Sequence, residues 1–125
     1  MGANRDKGRR ELGAWGEAAA ARFLEGWGYV IRERNYRCWE GEVDIVAQKN
    51  DCLVFVEVRS RRNLSFGTLE ESVTVAKKRK LANTDLHYVA THKGLPEQWR
   101  VDMVAVEVGP GGEVSRMEHI EDALS

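Results

Sequence analysis

The feature that most constrains this chain is the stretch 42–59. Residues 42–48 (Glu-Val-Asp-Ile-Val-Ala-Gln) and 53–59 (Leu-Val-Phe-Val-Glu-Val-Arg) are rich in β-branched and apolar side chains, and the polar 49–52 (Lys-Asn-Asp-Cys) separates them. Two such runs around a short polar turn read as a β-hairpin. With Asn50 and Asp51 at the tip, the register sets Asp44 across from Glu57 and Glu42 across from Arg59. Side chains alternate along a strand, so one face carries Val43, Ile45 and Ala47 against Val54, Val56 and Val58. The other carries Glu42, Asp44, Val46 and Gln48 against Leu53, Phe55, Glu57 and Arg59. A slip of one residue mixes the two faces, so the pattern itself supports this register.

Two carboxylates held about 4 Å apart at an effective dielectric near 20 repel by on the order of 4 kcal/mol. Either one of them takes up a proton or a cation sits between them. Oxygen ligands converging from two strands suit Mg²⁺ or Mn²⁺. The same spacing also suits a surface ladder in which Glu42 pairs with Arg59 and Glu57 finds a cation elsewhere.

A chain of 125 residues is the size of one domain with a real core. We read 1–125 as a single domain, with a core over about 11–108 and an acidic tail over about 109–125. The net charge of −1 conceals an asymmetry: residues 1–100 hold 18 basic and 14 acidic side chains, residues 101–125 hold 1 and 6. A basic middle beside an acidic tail suits an anionic partner. Cys38 and Cys52 form neither a disulfide framework nor a zinc motif, and we read both as reduced thiols of a cytoplasmic protein. The charged start lacks the apolar run of a secretory signal, and no stretch has the length to span a membrane.

Residues 1–10 are polar and basic and read first as a frayed terminus and second as an arm that touches DNA. Residues 11–27 read as a helix with Leu12, Gly13, Gly16, Ala20, Phe23, Leu24 and Trp27 on one side and Gly28 as its stop. Glu17 borders that apolar side; it is a boundary residue, or a third carboxylate if the helix packs over the charged end of the hairpin. Residues 29–36 read as a strand. Arg32, Arg34, Tyr36, Arg37 and Trp39 interleave charge with aromatic rings, a pattern that suits a nucleic-acid backbone and its bases and equally suits strand edges. A loop over 60–67 carries Arg61 and Arg62. Thr68 and Glu71 form a capping box for a helix running to about His92, with Val73, Ala76, Lys77, Lys80, Leu81, Thr84 and Tyr88 on a broad face. Lys77 and Lys80 there either snorkel to water or reach a phosphate. Residues 100–108 alternate like a strand, with Val101, Met103, Ala105 and Glu107 on one side and Asp102, Val104, Val106 and Val108 on the other; residues 114–120 add a weak edge strand. The order α-β-β-β-α-β describes an α/β domain, a mixed sheet flanked by helices.

That order resembles the restriction-endonuclease-like superfamily of PD-(D/E)xK pattern. It carries an acid on the first helix, an Asp on one central strand and Glu-x-basic on the next. More narrowly, the chain is similar to the YraN family of predicted nucleases, which are distantly related to archaeal Holliday junction resolvases. The matching pieces are Gly-Glu-Ala-Ala-Ala-Ala-Arg-Phe-Leu (16–24), Asn-Tyr-Arg (35–37), Gly-Glu-Val-Asp-Ile-Val (41–46), Val-Phe-Val-Glu-Val-Arg-Ser-Arg (54–61), Phe-Gly (66–67), Ser-Val-Thr (72–74) with Lys77 and Lys80, and Arg-Val-Asp-Met-Val (100–104). The resemblance implies a DNA endonuclease in which Asp44 and Glu57 hold Mg²⁺ or Mn²⁺. Glu17 completes the site directly or through water, and Arg59 occupies the motif's basic position. It implies that Arg61, Arg62, Lys77 and Lys80 grip DNA, duplex or branched, and it suggests a homodimer. Arg59 departs from the usual Lys. A guanidinium stays protonated and cannot act as a general base, which keeps open a non-catalytic nucleic-acid-binding module on a nuclease scaffold. A scaffold protein with a partner-binding acidic tail is the third reading.

Overall fold

The computed structural model describes residues 2–62 and 75–123, with side chains described at 11–62, 79 and 81–123. In chain order the elements are α1 (Gly2–Gly26), β1 (Val30–Cys38), β2 (Gly41–Lys49), β3 (Cys52–Arg61), α2 (Val75–Thr91), β4 (Gln98–Val108) and β5 (Val114–Ile120). The strands form one sheet in sequence order. Neighbours are antiparallel, except that β3 and β4 are parallel. A parallel pair needs a crossover, and α2 lies within it. The α-β-β-β-α-β order read from the sequence is therefore observed, with β5 as the added edge strand.

The β2–β3 hairpin has the register its pattern requires, from Ile45↔Val56 to Lys49↔Cys52. Asn50 at the tip takes a φ of 54°, a left-handed conformation that Asn tolerates better than most residues. The hairpin is buried on both faces. On one side Ile45, Ala47, Val54 and Val56, with Val104, Val106 and Val108 of β4, pack against Ala19, Ala20, Ala21 and Leu24 of α1. On the other, Val46, Leu53, Phe55 and Val101 pack against Tyr88 of α2. Leu24, Ile45 and Phe55 are at most 1% exposed, and burying side chains of this size contributes about 1.5–3 kcal/mol each. The run of alanines lets α1 lie close to the sheet. The approach is closest at Gly16, where an added Cβ would stand 2.8 Å from the Cβ of Ser60 and overlap its hydroxyl.

Several expectations need correction. The first helix begins at Gly2 rather than near residue 11; residues 2–10 contain no proline to interrupt it. It ends as expected: Gly28 has φ 89°, its N–H donates to Glu25 O, and Tyr29 N–H donates to Leu24 O, both at 3.0 Å, the Schellman pattern. Trp27 lies at that end and is 65% exposed rather than on the packed side. β3 continues through Arg61, so Ser60 and Arg61 are strand and not loop. Val43 does not share a face with Ile45: it joins Val46, Phe55 and Tyr36 under α2. The alternation breaks at Asp44, between the pairs Arg34↔Ile45 and Tyr36↔Val43. The residue opposite, Asn35, has φ 56°, so the backbone of both strands turns there.

The tail from 109 is not merely appended. β5 pairs along β4, and Ala123 N–H donates to Val101 O at 2.6 Å. Thr68, Glu71 and Val73 fall outside the described residues. Cys38 and Cys52 are free thiols. Among the described residues no helix is long and apolar enough to cross a membrane.

The Gly16–Ser60 approach generates a prediction. Gly16→Ala should cost about 1–3 kcal/mol in urea denaturation, as overpacking does, and Ser60→Gly in the same chain should recover most of that loss. An unchanged midpoint for Gly16→Ala alone would contradict the close approach.

Candidate metal centre

The turn in β1 and β2 at Asn35 and Asp44 sits at the open end of the hairpin, and four carboxylates converge there. Glu17 comes from α1, Glu42 and Asp44 from β2, and Glu57 from β3. One oxygen from each of Glu17, Glu42 and Asp44 lies within 4.8 Å of the others, a separation that a single divalent ion with oxygen ligands can span. Glu17 is placed by the approach of α1 at Gly16, one residue earlier. Asp44 is placed by a hydrogen bond: its Oδ2 accepts from Val58 N–H at 2.7 Å. Asn35 ties the group together. With its amide nitrogen facing the carboxylates, it donates to Glu17 Oε2 at 3.0 Å and Glu42 Oε1 at 3.3 Å.

The electrostatics follow from this crowding. Burial pushes the Asp44 carboxyl up to about 8, and the charges of Glu57, Glu17 and Glu42 add to that, against the opposing Val58 hydrogen bond. Burial also raises Glu57; the Arg59 guanidinium and a hydrogen bond with Asp44 pull it back. Arg59 Nε is 3.8 Å from Glu57 Oε1, too far for a hydrogen bond, and its Nε and Nη2 are buried without an acceptor among the described residues. The expected opposition of Glu42 and Arg59 is not observed. The paired ladder stops at Ile45↔Val56, and Glu42 instead meets Arg37 at 3.4 Å. The surface-ladder alternative fails with it, because Glu57 and Asp44 are both drawn inward. A cleft of about 260 Å³ lined by Leu12, Gly13, Glu17, Val58, Arg59 and Ser60 opens beside the cluster.

Of the residues singled out by sequence, Glu17, Asp44, Glu57 and Arg59 come together. Arg61 ends β3. Arg62 lies over the Trp15 ring of α1 at 6.0 Å. Lys77 and Lys80 fall in the first two turns of α2, and for these two only the backbone is described. Sequence reasoning missed three members of this neighbourhood. Glu42 and Asn35 carry a signal, since both stand in the matched family pieces, but the hairpin register sets Glu42 against Arg59 and gives Asn35 no role. Asp85 of α2 is 1% exposed; it follows Leu81 by four residues and precedes Tyr88 by three, so the helical period alone places it on the packed side.

The structure is an α/β domain with a five-stranded mixed sheet and an acidic cluster at the open end of its central hairpin. The pattern described as "Uncharacterised protein family UPF0102" matches residues 16–106. A UPF0102 protein of Roseiflexus castenholzii is 46% identical over 118 residues, covering 93% of this chain and 94% of its own length. One of Symbiobacterium thermophilum is 47% identical over 115 residues, covering 92% and 97%. The chain belongs to this family, the YraN family of the sequence resemblance.

The raised carboxyls fix the sign of a pH effect. A carboxyl whose folded value lies near 8 holds a proton that the unfolded chain, near 3.8, has released. Its contribution to stability is therefore present at acid pH and lost as pH rises toward 8. In EDTA, the wild-type chain should lose thermal stability across that window. Asp44→Asn, which keeps an acceptor for Val58, should flatten the slope and be more stable at pH 9 by at least about 1 kcal/mol, one unit being worth about 1.4. Parallel pH profiles for the two chains would show that Asp44 does not carry the shift.

Proposed function

We propose that this chain is a Mg²⁺- or Mn²⁺-dependent endonuclease that hydrolyses DNA phosphodiester bonds, with structured or branched DNA as its preferred substrate. The observation that carries this reading is the convergence of Glu17, Glu42 and Asp44, with Glu57 beside them, at one partly open point. So much like charge gathered from three elements costs stability unless a cation offsets it. The all-oxygen donor set fits a hard divalent ion.

Glu17, Glu42, Asp44 and Glu57 would hold such an ion. Bound there, a divalent metal lowers the pKa of its water and neutralises the phosphodiester's charge. The chain's own residues do the rest. The Val58 N–H fixes the orientation of Asp44. Asn35 holds Glu17 and Glu42 in register. Arg59 sets a guanidinium beside Glu57, and its Nε and Nη2, without an acceptor among the described residues, can be offered to a phosphate oxygen. Arg61, Arg62, Lys77 and Lys80 supply the sequence-independent grip on the backbone, which makes binding steeply salt-dependent. Two chains acting as a dimer would suit a symmetric branched substrate.

Arg59 also favours a second reading. With a guanidinium in the place where a lysine could exchange a proton, the chain would be a non-catalytic nucleic-acid-binding module on a nuclease scaffold.

Cleavage assays with Mg²⁺ and Mn²⁺ on duplex, flap and four-way-junction DNA separate the two. A nuclease cuts at least one of these, loses cutting in Asp44→Ala and Glu57→Ala, and falls about 10²-fold in Arg59→Ala, the scale for removing one charge-stabilising donor. A binding module retains affinity in all three variants and cuts nothing with either metal. Cutting by Asp44→Ala at the wild-type rate would end the metal-centre reading.

A further inference from the structure

Two carboxylates are buried among the described residues, Asp85 and Asp102; Asp102 is hydrogen-bonded to Arg100, His119 and Asp122 N–H, and Asp85 is not. Its side chain is 1% exposed, and neither Oδ1 nor Oδ2 has a hydrogen-bond partner among the described residues. Buried polar groups without partners are rare in native structures, and a bound ion is one of their ordinary explanations.

Helix and strand geometry place it. α2 connects the parallel strands β3 and β4, so it runs back against the direction of β3. The Tyr88 ring meets the Phe55 ring edge-on at 5.7 Å between centroids, which pins the helix over the strand. From Tyr88, three residues toward the helix start is about 4.5 Å at 1.5 Å per residue and returns to the same helix face. From Phe55, two residues onward is about 6.6 Å at 3.3 Å per residue and returns to the same strand face. Both steps run in the same direction. They lead to Asp85 on the helix and Glu57 on the strand. The charge of Glu57 is correspondingly felt at Asp85, where burial first and that charge second raise its carboxyl to about 8.

We propose that Glu57 and Asp85 form a second divalent-cation subsite, on the α2 side of the Glu17–Glu42–Asp44 cluster. The inference rests on the metal-centre reading and extends it to a residue outside the matched motif pieces. A proton alone is a poor remedy for Asp85, because the acid's O–H would still find no acceptor among the described residues. A cation serves both acids at once. The donors are hard oxygens, so the ligand class is Mg²⁺ or Mn²⁺. The Glu57 side chain, 14% exposed, gives an ion its way in.

The test is a count of bound Mn²⁺, with Mn²⁺ alone as the probe and no DNA. The full chain is titrated by calorimetry, and free Mn²⁺ is followed by electron paramagnetic resonance. The wild type should bind two ions. Asp85→Asn should bind one, with an affinity for the remaining ion within about threefold of wild type, and its melting temperature in EDTA should match or exceed that of wild type, because Asn is neutral and of similar shape. Asp85→Ser serves if Asp85→Asn fails to fold, and should also bind one. Two ions on a folded Asp85 variant would overturn the proposal. One ion on the wild type, lost in Asp44→Asn, would overturn it while leaving the first centre intact. No ion on the wild type would remove both.

Discussion

Like charges gathered at the open end of the β2–β3 hairpin are the constraint around which this chain is organised. Left to themselves, Glu17, Glu42, Asp44 and Glu57 would separate into water. They are held by what lies behind them. Ile45, Val46, Ala47, Val54, Phe55 and Val56 are at most 1% exposed, and the hairpin is clamped between α1 on one face and α2 on the other. That double burial leaves β2 and β3 little freedom to slide, since a one-residue slip would bring Asp44 or Glu57 into an apolar layer. The apolar core supplies the free energy that the acidic end consumes.

The opposite treatment of another carboxylate shows what the cluster lacks. Asp102 of β4 is 0% exposed, as buried as any residue in the chain. Its Oδ1 accepts from Arg100 Nε at 2.9 Å and from Asp122 N–H at 3.0 Å, and its Oδ2 lies 2.8 Å from His119 Nε2. Burial raises its carboxyl, but the hydrogen bonds from His119, Arg100 and Asp122 together outweigh that and lower it. Arg100 in turn donates to Tyr29 Oη at 2.8 Å. This closed network pins β5 and the segment after it onto β4 and the start of β1. One buried Asp is thus fully satisfied and serves as a clasp, while Asp85 has no hydrogen-bond partner among the described residues and burial raises the Asp44 carboxyl despite its bond from Val58 N–H. Perturbed carboxyls that structure has not compensated are the ones that point to a ligand.

The hairpin, its register between Ile45↔Val56 and Lys49↔Cys52, the strand at 114–120 and the Gly28 helix stop were all legible in the sequence. Each depends on a local rule: a period of two, a polar turn, a glycine with positive φ. The nearness of Asp44 to Glu57 was legible for the same reason, although the paired ladder itself stops at Ile45↔Val56, and so was Glu17 as a conditional third acid. The face of Val43 was not, because the alternation breaks where Asn35 and Asp44 turn together, and a local period carries no notice of its own interruption. The true partner of Glu42 was lost with that break.

What only the tertiary structure decided was which distant residues share a volume of a few ångströms. Asn35 between two carboxylates, Gly16 against Ser60, Asp85 above Glu57, and Asp102 in its clasp each join elements far apart in the chain. Their placement follows from how closely a helix can pack and which way a crossover runs. The sequence determined that acids would stand on adjoining strands, because alternation over a few residues dictates it. The packing of two helices on a twisted sheet decided how many acids meet there, because that geometry is a property of the assembled core rather than of any single segment.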